Sequence, residues 1–235
     1  MQTEGTIDEL MEAASRALVA LDYVGCERRC VEALGLAEAA GEWAMVAAIV
    51  LPLQEARRQR RIVATEGVLR IGEPGDGVWP GSWRAQGSGW WVEVSEASVR
   101  RVSAARAAMR EAGVLGEVMS AVERAGAWVV CGESSGGRVL EVVVDAPDWA
   151  WLGSELGPED AAHDAAAAWL IEASERLGDA AIAAVDEPMG TVERVKAMEA
   201  MVGVFDDHEK LHQAWAEAAR AADAAGLSRS AGGGA

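Results

Sequence analysis

Two short runs of apolar and β-branched residues flank a glycine- and serine-rich segment near the middle of this 235-residue chain. The runs are residues 128–131 and 139–144. Runs of this length and composition favour strands, and a glycine-rich connection favours a hairpin between them. The chain is therefore predicted to contain a β-sheet.

The residues that precede this hairpin favour a strand followed by a helix. A stretch dense in glycine and proline, residues 72–89, leads into the apolar residues 90–94, which favour a strand. Ser95 or Ser98 is suited to cap a helix after that strand. The apolar positions of this helix recur at helical spacing: Val99, Val102, Ala105, Met109 and Ala112.

Residues 114–122 fit either a helix or a strand. We favour a strand, because an apolar run follows directly after a glycine that stops the preceding helix. Residues 67–150 are therefore predicted to form a small α/β unit, made of a strand, a helix, a strand and the hairpin.

Residues 1–66 have the apolar periodicity of helices. On the first helix the apolar residues recur at three-and-four spacing: Leu10, Met11, Ala14, Ala17, Leu18 and Leu21. Residues 22–23 mark a break, and a second helix is predicted to end at Gly41. A third helix begins near Trp43, and Pro52 inside it predicts a kink or a break.

The first two helices resemble a degenerate tetratricopeptide repeat over roughly residues 10–43. The resemblance rests on Leu10, Ala14 and Ala17 in the first helix, Asp22-Tyr23 at the turn, and Cys26, Cys30, Ala33 and Leu34 in the second helix. The usual glycine before the turn is Leu21 here, and the closing proline is missing. The resemblance implies two closely packed antiparallel helices. Because about three units are needed to bury a continuous core, it also implies that this hairpin packs on the rest of the chain.

Residues 151–225 return to helical character. Residues 158–160 open an alanine-rich helix, and Gly178 with Asp179 is predicted to turn the chain. Further helices are expected near residues 180–186, 191–203 and 207–225.

Together these patterns predict a mixed α and β fold that is mostly helical. Its expected parts are a tetratricopeptide-like helical region at 1–66, the α/β unit at 67–150, a helical closing region at 151–225 and a disordered tail at 226–235.

Composition narrows the classes of function. With 38 acidic and 21 basic residues, the formal net charge is -17, which repels phosphate backbones, so we expect no nucleic-acid binding.

The N-terminus lacks the pattern of a signal peptide, and no run of 18 apolar residues occurs, so we expect a soluble cytoplasmic protein without membrane contact. Cys26, Cys30 and Cys131 form no C-x-x-C pair, which favours reduced, structural thiols.

Residues 208–212 contain H-E-x-x-H, a pattern of zinc hydrolases. His208 and His212 on one helical face would hold the metal, with Glu209 as general base. No third ligand is evident downstream, and Asp206 with Glu209 also fits a capping box, so we expect no metal.

Residues 132–136 contain G-x-S-x-G, the pattern of a serine nucleophile on a strand-to-helix turn. Here a strand is predicted to follow Ser134, which favours a hairpin loop. A hydrolase that uses Ser134 with His208 or His212 is the alternative to a non-enzymatic protein.

Four tryptophans could form a platform for a ligand or could fill a core: Trp79, Trp83, Trp90 and Trp91. No phosphate-binding loop is recognised, and we expect no cofactor.

Positive charge is concentrated in the third helix, at Arg57, Arg58, Arg60 and Arg61. Residues 54–110 hold ten arginines against six acids, whereas the chain from residue 151 onward holds sixteen acids against six bases. The cluster could bind an unknown partner protein, or it could contact the acidic region of its own chain. The leading hypothesis is a non-enzymatic protein for protein–protein interaction or scaffolding, with these arginines as the partner-binding residues.

Overall fold

The computed structural model describes residues 5–72, 88–95 and 98–227. Within these residues the α-helices are α1 Ile7–Val19, α2 Tyr23–Ala40, α3 Trp43–Thr65, α4 Ser98–Glu111, α5 His163–Ala183, α6 Val192–Val202 and α7 Glu209–Ala224. The strands are β1 Val68–Gly72, β2 Gly89–Val94, β3 Gly116–Arg124, β4 Ala127–Glu133, β5 Val139–Val144 and β6 Glu155–Leu156. A short 3-10 helix covers Trp149–Trp151. The prediction of a mostly helical, mixed α and β fold is confirmed.

The N-terminal helices begin and end at residues whose side chains and backbone suit those positions. Thr6 caps α1 in a capping box with Glu9, and the Asp22 carboxylate accepts a hydrogen bond from Gly25 N at the start of α2. Gly41 ends α2 in the left-handed conformation, with φ of 70°, which glycine adopts at little cost. The predicted boundaries of these helices are confirmed.

Helix α3 is continuous through Pro52, so of the predicted kink or break the structure excludes the break. Residues on both sides of the proline are buried in the core, including Ile49, Val50 and Leu53. We attribute the continuity of the helix to this packing, which offsets the hydrogen bond that proline cannot donate.

The six strands form one sheet with the order β5-β4-β3-β2-β1-β6. β1, β2 and β3 are parallel, whereas β3, β4 and β5 form an antiparallel meander and β6 pairs antiparallel with β1. The predicted strand, helix, strand and hairpin correspond to β2, α4, β3 and the pair β4–β5. Residues 116–124 are a strand, which settles the choice between helix and strand for 114–122.

Strands β1 and β6 were not predicted. β1 pairs in parallel register with β2, from Val68 opposite Gly89 to Gly72 opposite Glu93. β6 adds only two residues, at the far side of β1. β6 therefore comes from residues 151–225, the region that was expected to be wholly helical.

Helix α5 continues through Gly178, so the prediction that the chain turns there is wrong. A Cβ atom at this position would lie 2.1 Å from Cγ of His208. The glycine is required because the imidazole of His208 packs against the helix backbone, not because the helix ends.

Helices cover both faces of the sheet. Trp90 belongs to the main core, together with residues from every helix except α4, whereas Trp91 packs with Val102, Met109 and Val118 between the sheet and α4. The three cysteines are free and buried. Among the described helices, none is both long and apolar enough to span a membrane.

Candidate functional site

A cluster of charged side chains lies in the interior where α2, α3, α4, β3 and the segment before α7 meet. At its centre is Arg60, whose side chain is only 2% exposed. Its guanidinium lies 2.9 Å from Glu27 Oε2, 3.5 Å from Glu117 Oε2 and 3.4 Å from Asp206 Oδ1, and it also contacts Asp207. One arginine thus bridges carboxylates that come from three separate parts of the chain.

Three further arginines extend this cluster. Arg57 Nε donates to Glu27 Oε1 at 2.9 Å. Arg106 Nε lies 2.7 Å from Glu117 Oε1 and donates to the backbone oxygen of Val118, while Nη1 donates to that of Val204. Arg110 pairs with Asp206.

The cluster thus contains four arginines and four carboxylates, the latter being Glu27, Glu117, Asp206 and Asp207.

The two adjacent aspartates differ in their proton affinity. Burial alone raises the pKa of both carboxyls. For Asp206 the charges of Arg110 and Arg60 outweigh burial and hold its pKa well below the usual value. For Asp207 burial raises the pKa by more than the charge of Arg60 lowers it, and the neighbouring charges of Glu117 and Asp206 raise it further. Burial and the neighbouring charges therefore favour the ionised form of Asp206 and the protonated form of Asp207.

Oxygens of Glu117, Asp206 and Asp207 lie within 4.8 Å of one another, a spacing that suits a metal ion. The guanidinium of Arg60, however, contacts all three side chains. A metal ion at this position would have to displace the guanidinium, which is the shared partner of these three side chains, so this geometry does not favour a metal.

A groove runs along α2 above the cluster. It consists of three cavities of about 320, 500 and 690 Å³. The first two share Val24 and Arg28, and the second and third share Val31 and Arg110. The lining residues of α2 recur at steps of four and three, which is one face of a helix: Val24, Arg28, Val31, Gly35 and Glu38. Val24 to Glu38 spans about 21 Å at 1.5 Å per residue.

The opposite wall of the largest cavity comes from α4, the β4–β5 loop and the end of α6. Val31 is 50% exposed, and apart from the backbone of α2 around Gly35 no heavy atom of the described residues lies within 4 Å of a Cβ built at Gly35, so this side of the cavity is open. Leu34, Leu53 and Val202 contribute apolar surface. The floor contains Arg57, Arg106 and Arg110, each already paired with an interior carboxylate.

The arginines predicted to bind a partner lie in different environments. Arg57 and Arg60 are buried, and of the two Arg57 lines the floor of the largest cavity. Arg61 lies 3.0 Å from Glu175 and Arg58 pairs within its own helix with Glu55. Arg60 and Arg61 therefore make the internal contacts with the acidic C-terminal region that were the alternative interpretation.

The H-E-x-x-H residues do not present free nitrogen lone pairs. Nδ1 of His208 accepts a hydrogen bond from Leu211 N, because His208 is the N-cap of α7. Nε2 of His212 lies 3.0 Å from Arg57 Nη1, which can only donate, so Nε2 is the acceptor. Burial and the charge of Arg57 lower the pKa of His212 to about 3. A neutral imidazole has one acceptor nitrogen, and in both rings that nitrogen already accepts a hydrogen bond within the fold. Neither ring therefore has a free lone pair for a metal.

The remaining parts of that motif also differ from expectation. The N-cap is His208, so the predicted capping box of Asp206 and Glu209 is wrong. Glu209 accepts a hydrogen bond from Gln213 in the first turn of α7.

Ser134 lies in the tight loop between β4 and β5, as a hairpin requires. Its Oγ accepts from Arg138 N at 3.0 Å, and its backbone N donates to Arg138 O at 2.8 Å. The strand β5 follows, rather than a helix. Ser134 lines the largest cavity, but none of the described lining residues is a histidine that could activate it.

The tryptophan platform is only partly covered by the structure. Trp90 and Trp91 are buried on opposite faces of the sheet and are core residues. Trp79 and Trp83 lie outside the described residues.

A search of protein families, curated proteins and solved structures finds no match to this chain. The groove and the buried cluster are therefore interpreted from their own geometry.

Proposed function

We propose that the protein is a non-enzymatic interaction protein that holds a peptide segment of a partner protein in the groove along α2. The observation that carries this proposal is that three neighbouring cavities share lining residues along one face of a single helix. A groove about 20 Å long suits an extended segment or a short helix better than a compact small molecule.

The groove has the composition that peptide recognition uses. Apolar side chains line its walls, and polar side chains are placed among them, which gives contact area together with directional hydrogen bonds. A hydrolase remains the weaker proposal, because Ser134 lacks a neighbouring base among the described lining residues and both histidines use their acceptor nitrogens within the fold.

The test uses a phage-displayed library of random 12-residue peptides, panned on the full chain and on Gly35→Trp. Gly35 is exposed, has open space at its Cβ and lines the largest cavity, so a tryptophan there is placed to obstruct the groove. Arg29→Trp is the matched control, because Arg29 is exposed on another face of the same helix.

We expect enriched peptides to bind the wild-type chain and Arg29→Trp equally, and Gly35→Trp at least about tenfold more weakly, a loss of about 1.4 kcal/mol. Thermal melts of the three proteins should agree within about 3 °C, the shift that about 1 kcal/mol produces in a chain of this size. If no peptide is enriched, or if peptides bind Gly35→Trp as well as the wild-type chain, the proposal is wrong.

A further inference from the structure

Carboxylates without an ion-pair partner gather at one end of the groove. Glu38, Glu133 and Glu199 line the largest cavity, and none of them forms an ion pair within 4 Å in the part of the chain that the structure describes. Glu38 comes from α2 and Glu199 from α6 on the opposite wall. This end of the groove therefore carries uncompensated negative charge.

The environment of Glu38 shows that this charge is unsatisfied. Its Oε1 is buried and has no hydrogen-bond partner among the residues that the structure describes. Burial, and after it the charge of Glu199, raises the pKa of Glu38 to about 7. Lys196 attracts both carboxylates, but it lies within ion-pair distance of neither. A cationic group placed between the two walls would relieve the repulsion.

A second group at the same cavity also lacks a partner. Trp215 is 3% exposed and lines the cavity, and its indole Nε1 is buried with no acceptor within the described part of the chain. A buried N–H without an acceptor is costly, and the backbone carbonyl of a peptide is the kind of acceptor it lacks. The carboxylates need a cationic partner, whereas this N–H needs a hydrogen-bond acceptor. A peptide supplies both, a basic side chain and a backbone carbonyl.

The arginines in the floor do not favour an acidic ligand. Arg57, Arg106 and Arg110 are neutralised by Glu27, Glu117 and Asp206 respectively.

The chain as a whole carries a formal charge of -17, which attracts basic segments and repels acidic ones at long range. The local ion pairing and the total charge of the chain therefore both favour a positively charged partner segment.

Resting on the proposed function, we infer that the segment held in the groove carries a lysine or arginine side chain, which pairs with Glu38 and Glu199. The apolar walls provide contact area for the neighbouring residues of the segment. The charge pair fixes which residue of the segment lies at this end of the groove.

The experiment pans the same 12-residue peptide library on the wild-type chain and on the double variant Glu38→Gln, Glu199→Gln. Peptides enriched on the wild-type chain should share a basic residue at one position, and this preference should vanish on the double variant. Replacing that residue by norleucine should weaken binding to the wild-type chain about tenfold or more, since a charge-assisted hydrogen bond is lost, and should leave binding to the double variant unchanged.

Two further variants serve as controls. Glu32→Gln removes an exposed carboxylate of α2 that does not line the groove, and it should behave as the wild-type chain does. Lys196→Ala removes the cation that competes for the same carboxylates, so it should strengthen the binding of basic peptides.

The outcomes separate the inference from the proposed function. Peptides that are sensitive to Gly35→Trp but show no basic preference, or an acidic one, would overturn this inference and leave the peptide groove standing. The absence of any peptide sensitive to Gly35→Trp would overturn both.

Discussion

Replacing Arg60 by methionine tests whether the buried charged cluster is organised as the structure shows. Methionine keeps much of the aliphatic volume but removes the cation. Glu27, Asp206 and Asp207, whose side chains are at most 6% exposed, would lose their shared partner. Breaking a buried ion pair from one side is strongly destabilising for this reason.

The expected loss is about 3–5 kcal/mol, the range for removing one partner of a buried pair. A domain is stable by only about 5–15 kcal/mol, so the variant should remain folded at 25 °C but with a small margin. At about 2–4 °C per kcal/mol for a chain of this size, the melting temperature should fall by about 6–20 °C. Urea unfolding followed by tryptophan fluorescence, and thermal melts by circular dichroism, measure the two quantities.

The pH dependence gives a second signature. Burial raises the pKa of Glu27 and Asp206, but the charges of Arg60 and its neighbouring arginines outweigh burial, and both values lie below the usual range. Carboxyls with depressed folded-state pKa values stabilise the fold above their unfolded pKa, and this stabilisation is lost as the pH falls. The difference between the wild-type chain and Arg60→Met should therefore be largest near pH 7 and should shrink below about pH 4, where carboxyls of ordinary pKa become protonated.

Arg58→Met is the matched control. Arg58 lies on the same helix, and its ion pair with Glu55 has side chains 43% and 41% exposed, so its loss should cost less than about 1 kcal/mol. Arg60→Lys keeps the charge but not the planar guanidinium, so its loss of stability should lie between those of Arg60→Met and Arg58→Met. If Arg60→Met were destabilised no more than Arg58→Met, the buried cluster would not have the energetic role assigned to it.

Three further predictions concern single contacts. Gly178→Ala places a Cβ where the His208 ring lies, so the urea midpoint should fall by the equivalent of about 1–3 kcal/mol, despite the better helix propensity of alanine; an unchanged midpoint would contradict the packing. The raised pKa of Glu38, about 7, means that the folded state holds a proton that the unfolded state releases, so stability falls as the pH rises from about 5 to 8. Glu38→Gln should remove that loss, a gain of about 1 kcal/mol at pH 8 once screening at this partly exposed site is allowed for, with no gain at pH 4. Arg61→Glu places a carboxylate near Glu175, 3.0 Å from Arg61 in the wild-type chain, and should cost about 1–2 kcal/mol at low salt and less in 1 M NaCl, where the Debye length is about 3 Å; a cost independent of salt would contradict this contact.

Elements whose signal is local in the sequence were predicted correctly. The apolar periodicity of α1 and α2 and the β-branched runs of β4 and β5 follow from burial on one face or two, which each segment specifies by itself. The strand at residues 116–124 was also favoured, although its pattern fitted a helix as well.

The elements that were missed depend on partners distant in the chain. β1 has five residues and β6 has two, and each is defined by the strand beside it more than by its own composition. Gly178 has the composition of a turn, yet the ring of a residue 30 positions later explains it. No local pattern reports such an approach.

The buried cluster could not be predicted for a related reason. A run of arginines on one helix favours a solvated face, because arginine is seldom buried unless it is paired. The partners of Arg60 lie 33 residues before it, at Glu27, and 146 and 147 residues after it, at Asp206 and Asp207. The sequence shows the opposite charges of the two regions, but not which residues meet.

This pairing also bears on the charge expected of a partner. Taken by itself, the concentration of positive charge in the arginine run would suit an acidic partner. Within the fold, the arginines that line the groove form ion pairs with interior carboxylates. Among the described residues, the cavity carboxylates without an ion pair are Glu38, Glu133 and Glu199. A ligand responds to the charge that remains after internal pairing, because a neutralised pair attracts an ion only weakly. The sign of the proposed partner's charge is therefore set by tertiary contacts, and it is opposite to the sign that counting arginines suggests.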